Sequence, residues 1–357
     1  MPFTAQELDN IASSALDFFI KGPAMAQSIQ DRPLYDAMKK GQKTFPGGKS
    51  DIRRNIKGDY SSAFQGYSHD DTVSYTNPAN IKQVNYPWKE LHAGIAMTLT
   101  ELKADGISVV DSINSEETSN HTDREITAIT GILDDKLNDL AEGGARSFNE
   151  ILWRDGTQSS KVFAGVTSII SMAPNSGFTG GVDRGGNAWW RNRAYVGTGT
   201  AVTANTGTRI TASPALQTLS KKLRSEVRQL RRYGGKPSLL LAGSGFIDRL
   251  ESEVAEKGSY TLEGFANEGK TDIGLATISM RGVGKFQYDP SLDDLGFNNM
   301  CFFIDPAHLY LDVMDGEDWK SHAPARPPEK YVLYRGLTWT GGFIADQLNC
   351  HGVYEAY

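Results

Sequence analysis

The chain has 357 residues, 39% of them hydrophobic, and its 37 Lys and Arg against 43 Asp and Glu leave a formal charge of −6. That length suits about two domains with a substantial core, and so mild an acidic balance excludes a molecule that is basic all over, as a general nucleic-acid binder would be. The first residues carry acidic groups where a secretory leader needs basic ones, no apolar run approaches the roughly 18 residues of a membrane span, and Cys301 and Cys350 lack metal spacing, so the expectation is a cytosolic fold with reduced, buried thiols.

In chain order, Thr4 and Glu7 form a capping box ahead of Leu8, Ile11, Ala15 and Phe19, which predicts a short amphipathic helix over residues 4–19. Residues 22–58 are punctuated by Gly and Pro and show no helical periodicity. They gather Arg32, Lys39, Lys40, Lys43, Lys49, Arg53, Arg54 and Lys57 against Asp36 and Asp51. Such a run is either a solvated face or an arm that meets a polyanion, and Lys39, Lys40, Arg53 and Arg54 are the candidate DNA-facing residues.

Residues 59–80 are small and polar, as a loop tip is. Within them His69, Asp70 and Asp71 are adjacent and cannot converge on one ion without partners from elsewhere. Val84, Tyr86 and Trp88 then alternate, and after a shift Leu91, Ala93, Ile95, Met97 and Leu99 alternate too, the period of a strand with one covered face. A polar tip between two extended arms makes a protruding hairpin. A two-stranded ribbon is barely stable alone, so its distal part, residues 50–86, is expected to lie across another subunit. Tyr60, Phe64, Tyr67, Tyr75 and Trp88 are the candidate contacts there.

Thr122 and Glu125 open the longest periodic run, with Ile126, Ile129, Leu133, Leu137, Leu140, Phe148 and Ile151 at gaps suited to one helical face. It predicts a single helix over residues 122–153, a rod of roughly 45 Å at 1.5 Å per residue. Gly143 and Gly144 each cost about 1 kcal/mol there against Ala, and mark a kink, a break or a close approach of another backbone. Further on, Trp189 and Trp190 beside Arg191 and Arg193 suit either base stacking or, more commonly, aromatic anchors at a subunit or domain contact.

A second helix follows Ser213 and Pro214. Leu216, Leu219, Leu223, Val227 and Leu230 face inwards, Lys221, Lys222, Arg224, Arg228, Arg231 and Arg232 outwards, and Gly234 and Gly235 stop it. Strands over residues 238–242, 275–280, 301–304 and 309–313 with a helix over residues 246–257 complete an α/β domain, and the tail, residues 331–357, is strand-like again.

Two patterns promise chemistry. Residues 264–271 match G-x-x-x-x-G-K-[ST], with the run ending at Asp305 downstream as a magnesium-holding strand; Lys270 would then touch phosphates and Thr271 the metal. The mechanism needs a strand before the loop and a helix after it. Here a helix precedes and a β-branched, alternating segment follows, so the context is inverted. Ser244 sits in a strand–turn–helix, but the glycine positions of G-x-S-x-G hold Ala242 and Phe246, and Ser244 is expected to cap the following helix instead. His92, His121, His308, His322 and His351 stand singly. No catalytic, cofactor-binding or metal site is predicted, and the chain is not expected to be an enzyme.

The order of parts resembles the major capsid proteins of tailed bacteriophages, whose fold also occurs in encapsulin shells and the herpesvirus capsid floor. GVTSII, GGVDRGGNAWWRN, SLLLAGSGFIDRLE and the ending GLTWTGGFIADQLNCHGVYEAY resemble a phage coat subgroup, and the likeness spans most of the chain. It implies an α+β fold with an N-terminal arm (1–44), an extended β-hairpin loop (45–87), a peripheral domain (88–164) with the spine helix 122–153, and an axial α/β domain (165–325). Closing strands (326–357) complete the peripheral domain, and their end returns to the axial one. It implies, too, a shell of pentamers and hexamers of the chain itself around non-specifically held double-stranded DNA, in a virion assembled in the host cytoplasm. A separate scaffolding protein, a portal or a decoration protein are further candidate partners; no cofactor and no membrane is implied. An encapsulin-like compartment is the neighbouring reading, and a nucleotide hydrolase built on Lys270 is the reading from another class.

Overall fold

The computed structural model describes residues 3–4, 31–58, 64–73, 75, 80–98, 100, 109–110, 136, 139–140, 142–198, 205–256, 277–280, 282–322 and 332–357. A six-stranded mixed sheet has the spatial order Thr277–Met280, Gly284–Tyr288, Leu239–Ala242, Met300–Ile304, Gly352–Glu355 and Arg193–Tyr195. Its central strands are apolar on both faces because both faces are covered. Leu240, Ala242, Cys301, Phe303 and Tyr354 point towards the helices Thr218–Arg231 and Ser244–Glu256, where they meet Leu223, Val227, Phe246 and Leu250. Leu241, Phe302, Ile304 and Val353 point the other way, into a core that holds Trp153 and Leu309.

The second sheet is organised by its longest strand, Val332–Ala345, which pairs antiparallel with Lys89–Thr98, Leu309–Met314 and Lys320–His322. Lys43–Phe45 adds in parallel beyond Leu309–Met314. The tail therefore contributes one strand to each sheet, Val332–Ala345 here and Gly352–Glu355 in the other. The alternation of Leu91, Ala93 and Ile95 appears as partly covered positions between exposed His92, Gly94 and Ala96.

Residues 142–153 are helical, as are 136, 139 and 140; residues 122–135 lie outside the described residues. The helix runs through Gly143 and Gly144 without a break, and nothing lies within 4 Å of where their Cβ atoms would stand. Phe148 is the aromatic centre that ties three elements to it. Its ring lies 5.6 Å from Tyr35, 5.0 Å from Trp339 and 6.1 Å from Phe163, all edge-on. Tyr35 belongs to the helix Pro33–Lys40, which corrects the expectation of no helix in residues 22–58. Eight residues show only Leu34, Tyr35 and Met38 as a face, too little for a periodic signal, although Pro33 at the start and Gly41 after the end are ordinary helix punctuation. Arg32, just before it, donates from Nη2 to Glu142 Oε1 at 3.1 Å.

The hairpin is present: Asp51–Lys57 and Ile81–Pro87 pair antiparallel from Asp51↔Pro87 to Lys57↔Ile81. Its stem, however, does not wait for another subunit. Ile52, Ile56, Val84 and Tyr86 are buried in this chain's own core, and the Tyr86 hydroxyl donates to Ala345 O at 3.0 Å.

The Ser244–Glu256 helix begins at Ser244 itself, so Ser244 is not its cap. The cap is supplied from a distance: Ser244 N–H donates to Asp293 Oδ1 at 3.0 Å. Glycine is required before it, because a Cβ on Gly243 would stand 2.6 Å from the Asn298 Cα. The partner helix starts at Thr218, which leaves Leu216 exposed, outside the core expected for it. Its first turn is capped by the buried Glu253, whose carboxylate accepts the N–H groups of Leu219 and Ser220, each at 2.9 Å. The expected 4–19 helix beyond Thr4, His121 and the phosphate-loop pattern at residues 264–271 with Lys270 lie outside the described residues.

Candidate assembly surface

Groups with chemical potential are committed to holding the fold. Asp305, expected as a metal-holding residue only under the nucleotide reading, accepts the Lys236 N–H at 2.7 Å and the Ala307 N–H at 3.1 Å, one on each oxygen. His351 is fully buried and its Nδ1 accepts the Asp305 N–H at 3.2 Å; burial pulls it down to about 4. His308 pairs with Asp346 at 2.8 Å and His322 with the Thr338 hydroxyl at 2.7 Å. Burial pushes both thiols, Cys301 and Cys350, above their ordinary range. Among the described residues no group of three His, Cys, Asp or Glu could hold a metal, and no helix is long and apolar enough to cross a membrane.

What is left over is surface. In the hairpin tip, Phe64 is fully exposed, Tyr75 94% and Tyr67 73%; Tyr60 lies outside the described residues. The root of the tip is clamped. Lys82 Nζ donates to Asn187 Oδ1 at 2.7 Å, and Asn85 N–H donates to Gly180 O at 2.9 Å. Gly58 lies flat on Trp189, where a Cβ would be 2.8 Å from the ring, and Gly180, at φ +58°, leaves equally little room beside Tyr86 and Val84. Rigid stem and exposed aromatic tip are thus parts of one hairpin.

The three candidate tryptophans turn inwards. Trp190 is 1% exposed and its indole N–H donates to Thr179 O at 3.1 Å, so it is a core residue of this chain and not the subunit contact expected of it. Trp189 seats Gly58, and Trp88 donates to Lys49 O at 2.6 Å. Each is used within the chain because its polar N–H or its ring face meets backbone there.

Of the candidate basic residues, Lys39, Lys40 and Arg53 are exposed. Arg54 is not a free cation. It donates from Nη2 to Asp312 Oδ2 at 2.6 Å, and Asp312 is completely buried. On the Thr218–Arg231 helix, Lys221, Arg224, Arg228 and Arg231 face solvent, whereas Lys222 lies 3.7 Å from Glu226 and over the Tyr195 ring.

The loop of residues 177–191 beneath the hairpin is the part the sequence did not single out. Asp183 turns it, accepting the Gly185 and Gly186 N–H groups at 2.8 and 2.9 Å. Arg191 holds it from behind through the carbonyls of Arg184 and Gly185. Phe178 stands out of it 71% exposed, while Arg184 is only 7% exposed. The visible signal was an aromatic and two arginines set among five glycines, at 177, 180, 181, 185 and 186.

No protein-family model and no curated protein matches the chain. Among solved structures it is similar to the capsid asymmetric unit of cyanophage A-1(L), 12% identical with a TM-score of 0.55 over 91% of this chain and 92% of that one. It is similar to the capsid of Myoviridae phage XM1, 9% identical, TM-score 0.52, covering 93% and 94%. A structure from Gordonia phage Cozz aligns at 13% identity, TM-score 0.50, covering 93% and 88%. At such identities the likeness is one of fold, and it spans nearly the whole of each chain: the chain has the α+β fold of tailed-phage capsid proteins.

Proposed function

We propose that this chain is the major capsid protein of a tailed bacteriophage, and that its copies form pentamers and hexamers which close into an icosahedral shell around double-stranded DNA. The observation that carries the reading is a hairpin anchored in the subunit's own core, with Phe64, Tyr67 and Tyr75 displayed at its tip, on the fold of capsid subunits. Exposed aromatics grouped on a rigid projection are out of place on a monomer and in place at an interface. A head-to-tail contact of this kind repeats until the ring closes, and closed rings of five and six tile a shell.

On this reading the chain is a virion component with no catalytic duty. It divides into arm (1–44), hairpin loop (45–87), peripheral domain (88–164 and 326–357) and axial domain (165–325). Lys39, Lys40 and Arg53 face the packaged DNA without reading its sequence. Scaffolding, portal or decoration proteins are the further partners such a shell takes. The test is sedimentation of purified protein across a concentration series. Particles of megadalton size in place of single subunits support the reading, and a monomer at every concentration contradicts it. Lys270→Ala should leave assembly unchanged, whereas a magnesium-dependent ATPase lost in that variant would replace this reading by the enzymatic one.

A further inference from the structure

We infer that the loop of residues 177–191 is a receptor for a carboxylate carried by a second copy of this chain, and that Asp70 of the hairpin tip supplies it. The inference rests on the shell-subunit reading and adds to it a named pair of groups.

Arg184 is buried, yet its Nε and Nη1 have no acceptor and its guanidinium enters no ion pair among the described residues. A guanidinium is not deprotonated inside a protein, so the charge has to be met by something. The acceptors beside it are already taken. Asp183 gives its two oxygens to Gly185 and Gly186, and the carbonyls of Arg184 and Gly185 serve Arg191. The arginine is also held in place, because its own N–H donates to Gly177 O at 2.9 Å. Gly177 gives the guanidinium its slot: at φ +81° it is glycine's conformation, and a Cβ there would lie 2.8 Å from Nη2. The site is therefore built around an unmet cation, with the exposed Phe178 ring as an apolar platform next to it in the chain.

The complementary surface is on the same chain. Asp70 is exposed in the tip, among the exposed Phe64, Tyr67 and Tyr75, whereas its neighbour Asp71 is engaged by the Ser68 N–H at 2.8 Å. A carboxylate flanked by aromatics suits a buried guanidinium flanked by Phe178 in both charge and apolar contact. Within one copy the two groups are not paired, which leaves a neighbouring copy to bring them together.

Arg184→Met keeps the aliphatic stem and removes the charge; Asp70→Asn, on the exposed tip, leaves the fold alone. The measurements are the protein concentration at which light scattering reports shells, and the melting of the unassembled subunit. Arg184→Met should melt no lower than wild type, because an unmet buried charge has been removed, while its onset concentration rises about tenfold or more. Asp70→Asn should raise the onset similarly, and the double variant should be no worse than either single one, as coupled partners behave. An unchanged onset in Arg184→Met or in Asp70→Asn overturns the proposal, as do single effects that add in the double variant. Should Arg184→Met fail to fold, Asp70→Asn decides alone. Wild-type protein that forms no shells fails the capsid reading itself, whereas wild-type shells with an indifferent Arg184→Met fail only this inference.

Discussion

Replacing Arg54 by Met should destabilise the subunit more than any other single change in the hairpin stem. Arg54 occupies the inward face of its strand between Ile52 and Ile56, and its Nη2 lies 2.6 Å from Asp312 Oδ2. Asp312 is 0% exposed on the Leu309–Met314 strand, and its other oxygen has no partner, so Arg54 is its only compensation among the described residues. Removing one member of a buried pair strands the other charge, at a usual cost of 3–5 kcal/mol; because Arg54 is itself reached by water, about 3 kcal/mol is expected. Replacing both members, Arg54→Met with Asp312→Leu, removes the stranded charge and should recover most of that loss. Urea unfolding of the unassembled subunit, followed by circular dichroism, measures both. A loss below about 0.5 kcal/mol in Arg54→Met, or a double variant as weak as the single one, would refute the idea that this pair fixes the hairpin to the core.

His351, buried and held at about 4 against 6.5 in the unfolded chain, takes up its proton in the unfolded state first. Stability should therefore be complete above pH 6.5 and fall as the pH drops towards 4, by about 3 kcal/mol from this residue; His351→Asn, which keeps an acceptor for the Asp305 N–H, should flatten that slope, and an unchanged slope contradicts the assignment. Replacing residues 60–80 by a short Gly/Ser link should leave a folded subunit that makes no closed shells, with circular dichroism checking the fold and light scattering the assembly. Changing Lys39, Lys40 and Arg53 to Gln should permit shells that retain DNA less well and with a shallower salt dependence, since each lost phosphate contact withholds counterion release. Retention that matches wild type across salt would remove the arm from the DNA surface.

The parts of the fold that sequence conveys are those in which one local period dominates. Leu91 to Ile95 alternate and form a strand; Leu219, Leu223, Val227 and Leu230 recur at helical spacing and form a buried face. The Asp51–Lys57 strand was hidden because its inward face reads Ile-Arg-Ile, and only Asp312, 258 residues away, makes the arginine an inward residue. Gly284–Tyr288 was missed for a related reason, with Lys285 and Gln287 interrupting a short strand. Caps were misplaced where they come from afar: Asp293 serves Ser244, and Glu253 serves the start of a helix more than 30 residues earlier. The aromatic surface was half legible. Phe64, Tyr67 and Tyr75 lie in a polar segment and are exposed, but Trp189 and Trp190 lie in a glycine-rich loop whose backbone folds over them. Arg184 could not be singled out, since its lack of a partner is a property of the folded loop alone.

Cryo-electron microscopy of the assembled protein tests the central claim most directly. The account predicts closed shells of five- and six-membered rings, in which the tip containing Phe64, Tyr67 and Tyr75 lies on the adjacent subunit while the stem stays on its own. Single subunits, open aggregates, or shells whose tips fold back on their own subunit would contradict it.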